Sequence, residues 1–109
     1  MPNLFEVTDP RGRKVVCTEE RWSGHVLQAR PWMKGWEEEV RAAIEEPYFG
    51  VYQDADYPNR NIYYRLHKGK DRYIKVVVSF EDEVGRVVTA FPMSSPKAGE
   101  KLIWPESSD

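Results

Sequence analysis

The chain has few of the residues that most often form cross-links or hold cofactors. Cys17 is its one cysteine, so no disulfide can form within the chain, and a reducing cytoplasm is the expected compartment. Its two histidines, His25 and His67, do not show the spacing of a zinc site. There is no glycine-rich phosphate loop, no signal peptide pattern and no apolar run near the ~20 residues of a membrane helix. The sequence therefore predicts no metal, no cofactor and no membrane association.

Length and charge limit the remaining possibilities. The 109 residues, 13% of them aromatic, predict a single domain over 1–109, with its core at about 18–104 and a loose C-terminal tail. The net charge of -2 argues against a general nucleic-acid binder. Basic residues nevertheless crowd into one third of the chain, which indicates either a local basic surface or an ordinary solvated face. They are Arg60, Arg65, Lys68, Lys70, Arg72 and Lys75.

Two helices are expected in the first half of the chain. Short strands at 4–7 and 14–17 form a hairpin around a turn at 9–12. Thr18 is a good N-cap for a helix that runs to about residue 29, where Pro31 prevents its continuation. A second helix is predicted over 34–46, with acidic residues on its solvent-facing side.

The second half reads as a β-meander. Strand patterns occur near 48–52, 62–66, 72–80 and 87–91, with a turn at 67–71. The predicted fold class is α+β: an antiparallel meander sheet of at least four strands, with the two N-terminal helices packed on one face and the other face open to solvent or to a ligand. Eight residues are predicted to form most of the core: Trp22, Val26, Trp36, Val40, Ile44, Ile74, Val76 and Val78.

His25 is the leading candidate for acid/base chemistry. Trp22, Val26 and Ala29 form one apolar stripe, and His25 lies at its edge, between core and solvent. An imidazole has an ordinary pKa near 6.5 and can act as a general base or acid. A histidine in this position is more often a packed, hydrogen-bonded residue. We expect His25 to be partly exposed and to lie within reach of Arg65 or Thr89.

Two further residues, Gly24 and Cys17, bear on the role of His25. Gly24 weakens a helix by ~1 kcal/mol relative to alanine, and close approach by another backbone would account for it. Cys17 could form a nucleophile pair with His25. Its place in a strand favours the alternative of a small buried hydrophobic residue.

Cleavage of RNA through its 2′-hydroxyl needs a base, a cation for the phosphate and a donor for the leaving oxygen. His25 fits the first role, Arg30 or Arg65 the second, and Tyr64 or Thr89 the third. Each also has an ordinary structural explanation: Arg30 can cap a helix C-terminus, Tyr64 can pair across strands, and Thr89 is a common strand residue.

Three further residues are candidates for binding the substrate. Tyr57 offers an aromatic face on which an unpaired base can stack. Arg60 and Lys75 belong to the basic third of the chain and offer positive charge to phosphates.

Several short motifs follow one another over about 18–104: TEERWSGHV at 18–26, RP at 30–31, EP at 46–47, IYYR at 62–65, YIKVVV at 73–78 and VTAFP at 88–92. Their order resembles a family carried by phages and mobile elements, the small RNase-like domains of the barnase–EndoU–colicin–RelE fold group. The resemblance implies a toxin-like or RNA-processing endoribonuclease without metal. It implies catalytic roles for His25, Arg30, Tyr64, Arg65 and Thr89.

The leading hypothesis is thus a metal-independent endoribonuclease that acts on single-stranded RNA, with a cognate inhibitor protein as a second partner. The alternative is a non-catalytic protein-binding module of the accessory or immunity type. Its docking surface would be the acidic second helix, which suits a basic partner. A structural domain with an unrelated role is a third interpretation.

Overall fold

One seven-stranded sheet organises the molecule. The computed structural model describes residues 3–67, 73–95 and 98–105. Its strands are β1 (Asn3–Thr8), β2 (Lys14–Thr18), β3 (Val51–Gln53), β4 (Arg60–Leu66), β5 (Tyr73–Ser79), β6 (Gly85–Met93) and β7 (Lys101–Trp104). They lie in the order β1-β2-β6-β5-β4-β3-β7. The predicted α+β class is confirmed, while most of the turn predicted at 67–71 and the end of the tail, 106–109, lie outside the described residues.

The sheet is mixed, so the prediction of a purely antiparallel sheet was wrong. β3, β4, β5 and β6 do form an antiparallel meander. β2, however, pairs with β6 in parallel, through Val15 with Gly85 and Val16 with Arg86. The relative direction of β2 and β6 depends on the path of the chain through the helical segment between β2 and β3. No short-range sequence pattern specifies this path.

Gly85 lies at this parallel contact for a steric reason. A Cβ atom built on Gly85 would lie 2.6 Å from the Phe80 ring and 2.7 Å from the Val78 side chain. Real Cβ contacts are not this short, so the start of β6 has room only for glycine beside the Phe80 ring.

The helical residues form short pieces rather than the two helices predicted. Within the described residues they are α1 (Glu19–Arg21), a π-helical turn (Trp22–Val26), α2 (Leu27–Ala29), a 3-10 turn (Pro31–Met33) and α3 (Glu37–Glu45). The predicted Thr18 cap is confirmed, because its hydroxyl accepts a hydrogen bond from the Arg21 N–H at 3.0 Å. The second helix begins later than the predicted residue 34.

The π-helical turn changes the register of the first helical segment. The Leu27 N–H bonds to the carbonyl of Trp22, five residues back. The Ser23 hydroxyl donates to the carbonyl of Glu19 at 2.5 Å and so competes for an acceptor within the segment. Of the predicted stripe, Val26 is buried and Ala29 is exposed, so a period of 3.6 residues per turn fails only at the end of the segment.

The main core lies between the helical pieces and one face of the sheet. Seven of the eight predicted core residues are buried, and Trp36 is the exception, half-buried with its ring edge-on to Trp32 at 5.2 Å. The core also includes Val7, Val15 and Cys17 from the N-terminal hairpin. The hairpin before residue 18 therefore contributes to the same core as the rest of the domain.

A buried polar cluster ties the hairpin turn to the middle of the sheet. The Asp9 carboxylate accepts hydrogen bonds from the Arg11 guanidinium at 2.8 and 2.9 Å and from the Tyr63 hydroxyl at 2.8 Å. Arg11 also donates to the Asn61 side-chain oxygen at 2.6 Å. Burial, followed by the neighbouring Asp9 charge, raises the pKa of the Tyr63 hydroxyl far above its ordinary value. The hydroxyl therefore stays protonated and remains a donor to Asp9.

The C-terminal residues complete the other end of the sheet. β7 pairs antiparallel with β3, on the side of β3 away from β4. Gly50, just before β3, has a φ of 118°, and a Cβ atom there would overlap the carbonyl oxygen of Trp104. Glycine is therefore required where β7 approaches β3.

Candidate functional site

The sheet has a second face, defined here as the face opposite the helices, with its own apolar layer. Ile62, Tyr64 and Val77 are buried in this layer. Partly buried apolar side chains surround them: Phe49, Tyr52, Tyr73, Val88, Phe91 and Met93. This face carries several of the predicted site residues, because alternate residues of β4 and β5 point to it.

Lys75 and Tyr64 lie at the centre of the second face and share one partner. The Lys75 Nζ atom is 2.6 Å from one oxygen of Glu100, and the Tyr64 hydroxyl donates to the other at 2.5 Å. Tyr64 is fully buried and Lys75 is 4% exposed. The charge of Lys75 is thus already balanced by a carboxylate, and the Tyr64 ring has no exposed face on which a base could stack.

The aromatic hollow is a depression of about 530 Å³ on this face. Its lining residues are Asp54, Asp56, Tyr57, Arg60, Lys75, Val77, Thr89, Phe91, Met93 and Ser95. Tyr57, Arg60, Lys75 and Thr89 were all predicted as site residues from the sequence, and the structure brings these four together. Lys75 and Thr89 face it from neighbouring central strands, and the other two come from the start of β4 and the loop before it.

Tyr57 and Arg60 form the exposed part of the aromatic hollow. The Arg60 guanidinium lies over the Tyr57 ring, 4.3 Å from its centroid, and Tyr57 is 52% exposed. The Asp54 carboxylate holds this loop by accepting the N–H groups of Asp56 at 2.8 Å and Tyr57 at 3.2 Å. An aromatic ring with one exposed surface and a stacked guanidinium is the combination that binds an unpaired base next to a phosphate.

Arg30 reaches the edge of the same hollow through Phe91. Its guanidinium lies 5.0 Å from the centroid of the Phe91 ring, which lines the hollow. Arg30 thus contacts one ring of the aromatic hollow, but it is not among the residues that line the hollow.

The arginine hollow, of about 430 Å³, adjoins the aromatic hollow. It is lined by Val16, Thr18, Arg21, Arg60, Ser79, Glu81, Arg86, Val87 and Val88. Arg60 lines both hollows and so joins them. The sequence interpretation missed Arg21 and Arg86, and only the strand register could have revealed Arg86, because Ser79 pairs with Arg60 on one side and with Arg86 on the other.

The histidine hollow, of about 500 Å³, continues from the arginine hollow. Thr18, Glu20, Arg21, Gly24 and His25 line it, and Thr18 and Arg21 are shared with the arginine hollow. His25 is exposed, beyond the partial exposure predicted, and its neighbours there do not include Arg65 or Thr89. Outside its chain neighbours and its own helical backbone, no atom lies within 4 Å of a Cβ built on Gly24, so close approach by another backbone does not explain this glycine.

Arg65 belongs to the opposite side of the sheet. Its Nε atom donates to a carboxylate oxygen of Glu39 in α3 at 2.8 Å. Adjacent strand residues point to opposite faces, so Tyr64 and Arg65 cannot serve one site together. The structure places Tyr64 on the second face and Arg65 on the helical face.

Cys17 has the properties of a core residue. It has no exposed surface, and burial raises the pKa of its thiol to about 12. A thiol with this pKa carries almost no thiolate at neutral pH, so the structure favours the core interpretation over a nucleophile pair with His25.

The described residues contain neither a cluster of metal donors nor a helix that could span a membrane. Over residues 3–67, 73–95 and 98–105, no three His, Cys, Asp or Glu side chains lie close enough together to hold a metal ion. In the same part of the chain, the helical pieces are too short and too polar to cross a membrane.

Neighbouring hollows share lining residues: Arg60 lines the aromatic and arginine hollows, and Thr18 and Arg21 line the arginine and histidine hollows. Comparison of the chain with protein-family models, with curated proteins and with solved structures found no match.

Proposed function

We propose that the protein binds single-stranded RNA along a path from the aromatic hollow on the second face, past the arginine hollow, to the histidine hollow of the first helical segment. The observation that carries this proposal is that neighbouring hollows share arginines: Arg60 lines the aromatic and arginine hollows, and Arg21 lines the arginine and histidine hollows. Tyr57 offers a stacking surface, and Arg60 and Arg21 offer charge along one path. Stacking and local charge suit an unpaired strand, whereas a net charge of -2 is poorly suited to a long duplex.

A binding experiment tests this proposal. We expect a labelled eight-nucleotide mixed-sequence RNA to bind the wild type in fluorescence anisotropy with EDTA present. Arg60→Gln should weaken binding by about tenfold, since it removes a charge shared by two hollows. The matched control is Arg41→Gln in α3, which removes an exposed arginine that pairs only loosely with Glu38, at 3.7 Å. Equal affinities for Arg60→Gln and the control would contradict the proposal.

A second proposed activity is metal-independent cleavage of the bound strand at the histidine hollow. The specific observation in its favour is that Arg21 lies between His25 and the arginine hollow, so a cation and an imidazole face the same path. The imidazole would take the 2′-hydroxyl proton as the 2′-oxygen attacks the phosphorus, and the Arg21 guanidinium would stabilise the charge that builds on the phosphate. The bond from phosphorus to the 5′-oxygen then breaks and leaves a 2′,3′-cyclic phosphate, and the proton held by the imidazole passes through water to the leaving 5′-oxygen.

The cleavage assay uses the other histidine as a matched control. We expect the wild type to cut single-stranded RNA in EDTA and to leave the all-deoxy strand uncut. His25→Gln should lose cleavage. His67→Gln, which alters a ring packed 4.5 Å from Trp36, should keep it. An uncut RNA panel, or equal cleavage by His25→Gln, would reject the ribonuclease proposal.

If the wild type fails to bind RNA as well, docking of a basic protein partner on α3 becomes the better account. Glu38 and Glu45 are exposed on that helix. The cognate inhibitor inferred from the resemblance stays a prediction.

A further inference from the structure

We propose that the arginine hollow is a phosphate-binding site. This inference rests on the proposed function, because it names the chemical group of the RNA that is held there. Three guanidinium groups, from Arg21, Arg60 and Arg86, line one depression, and one carboxylate, Glu81, lines it with them. The lining side chains therefore carry an excess of positive charge, and an anion would balance it.

The three arginines come from separate elements and converge by register. Arg60 opens β4, Ser79 ends β5 opposite it, and Arg86 lies in β6 opposite Ser79. Arg21 reaches the same hollow from the end of α1. The hollow is therefore built on the sheet itself rather than on one loop.

The guanidinium groups are only weakly engaged by protein partners. Arg86 is 3.5 Å from a carboxylate oxygen of Asp82, and both side chains are more than half exposed. Arg60 stacks on the Tyr57 ring, which leaves its donors at the edge of the guanidinium plane. Arg21 has no ion pair among the described residues, and its backbone N–H is the group that Thr18 caps.

Two hydroxyl groups complete the lining. The Thr18 oxygen accepts from the Arg21 N–H, and the Ser79 oxygen accepts from the Asn59 side chain at 3.4 Å. Each hydroxyl uses its oxygen as an acceptor in these contacts, so its own proton can be donated to an anion. A guanidinium group can donate two parallel hydrogen bonds to a phosphate, and each hydroxyl can donate one more to another phosphate oxygen.

The phosphate has two sources, an internal phosphodiester or a terminal monoester. They differ in charge, because a monoester becomes a dianion above its second pKa of about 6. Six-nucleotide strands with a 5′-phosphate, a 3′-phosphate or no terminal phosphate separate the sources. The strands carry 2′-O-methyl groups, so that they cannot be cut through the 2′-hydroxyl. A preference for one phosphorylated end that weakens below about pH 6 identifies the monoester; equal binding of all three identifies the diester.

The site itself is tested with the double variant Arg21→Gln/Arg86→Gln, which leaves the aromatic hollow and His25 unchanged. We expect its affinity for the strands to fall by about tenfold or more. The slope of log K against log salt should also become shallower, by ~0.7 for each lost phosphate contact. The affinity of Arg86→Lys should lie between those of the wild type and the double variant. Lysine keeps the positive charge but cannot donate two parallel hydrogen bonds to the phosphate. Arg41→Gln should behave as wild type.

A second readout separates this inference from the RNA proposal. Inorganic phosphate is titrated into the ¹⁵N-labelled wild type, and the amide signals of Thr18, Ser79 and Arg86 are expected to shift. Shifts at these amides without RNA binding would support the phosphate site and reject the RNA proposal. RNA binding of equal affinity and salt slope in the wild type and the double variant, without phosphate-induced shifts, would overturn the phosphate site and leave the RNA proposal standing.

Discussion

Lys75 and Glu100 form a buried ion pair beneath the second face, with side-chain exposures of only 5% and 2%. Lys75 lies in β5 at the centre of the sheet, and Glu100 directly precedes the edge strand β7. β6 is an inner strand of the sheet and β7 is an edge strand. The ion pair with Lys75 holds Glu100, the residue before β7, against the central strand β5.

The first prediction concerns this pair. Lys75→Met should lower the free energy of unfolding by about 3–5 kcal/mol, because it leaves the Glu100 carboxylate buried without a counterion. The double variant Lys75→Met/Glu100→Gln should recover most of the loss, since no buried charge remains. Urea denaturation monitors both. Lys14→Met, which breaks an exposed pair with Glu6, should cost at most about 1 kcal/mol. The prediction is contradicted if the double variant loses as much unfolding free energy as Lys75→Met and Glu100→Gln lose together.

The second prediction concerns the polar cluster at the hairpin turn. Asp9→Ala should destabilise the fold by about 3 kcal/mol, because Arg11 and Tyr63 both lose their acceptor in a buried setting. Glu20→Ala changes an exposed carboxylate and serves as the control. Thermal and urea melts of the two variants provide the comparison, and a similar small effect in both would show that the cluster adds little stability.

The third prediction concerns base stacking. Tyr57→Ala should reduce RNA affinity by ~1–3 kcal/mol, which is about five- to 150-fold, while Tyr57→Phe should keep most of it. Tyr48 is a matched control, because it is 55% exposed and does not line the aromatic hollow. Anisotropy titrations with one RNA strand measure the three affinities. An equal loss in Tyr48→Ala would indicate a general effect of surface aromatic residues.

The fourth prediction concerns pH. Burial raises the pKa of the Cys17 thiol from 9.0 to about 12, so the folded chain keeps a proton that the unfolded chain releases. This contribution to stability is fully present below about pH 9 and is lost as the pH rises toward 12. Cys17→Ala lacks it. The cost of that substitution, about 1–2 kcal/mol at neutral pH, should therefore shrink at alkaline pH in urea melts. A cost that stays constant above pH 9 would show that the thiol ionises equally in both states.

The local patterns were sufficient for the type of most elements. β4 and β5 follow the predicted strands because their runs of Ile, Val and Tyr suit strands that are buried on both faces of the sheet. The predicted core side chains of α3, Val40 and Ile44, are buried as its helical period required. The first helical segment departs from its pattern because one serine hydroxyl and a π-helical turn shift the register. Such a shift depends on hydrogen bonds that a hydrophobic period does not encode.

The candidate site was predictable only in part. Thr89, Tyr57 and Arg60 do meet in one hollow, since a meander brings neighbouring strands side by side. The resemblance implied that Tyr64 and Arg65 act in one site, but adjacent residues of a strand point to opposite faces of the sheet. Arg21 and Arg86 were missed, because they lie 65 positions apart in the sequence and meet only through the sheet.

The sequence by itself determined the α+β class, the cap at Thr18 and the buried stripes, because these follow from interactions between residues a few positions apart. The tertiary structure decided the parallel contact between β2 and β6, the pairing of Lys75 with Glu100 and the gathering of three arginines in one hollow. Each of these depends on long-range packing, in which the register between distant segments fixes which charges meet and which remain available to a ligand.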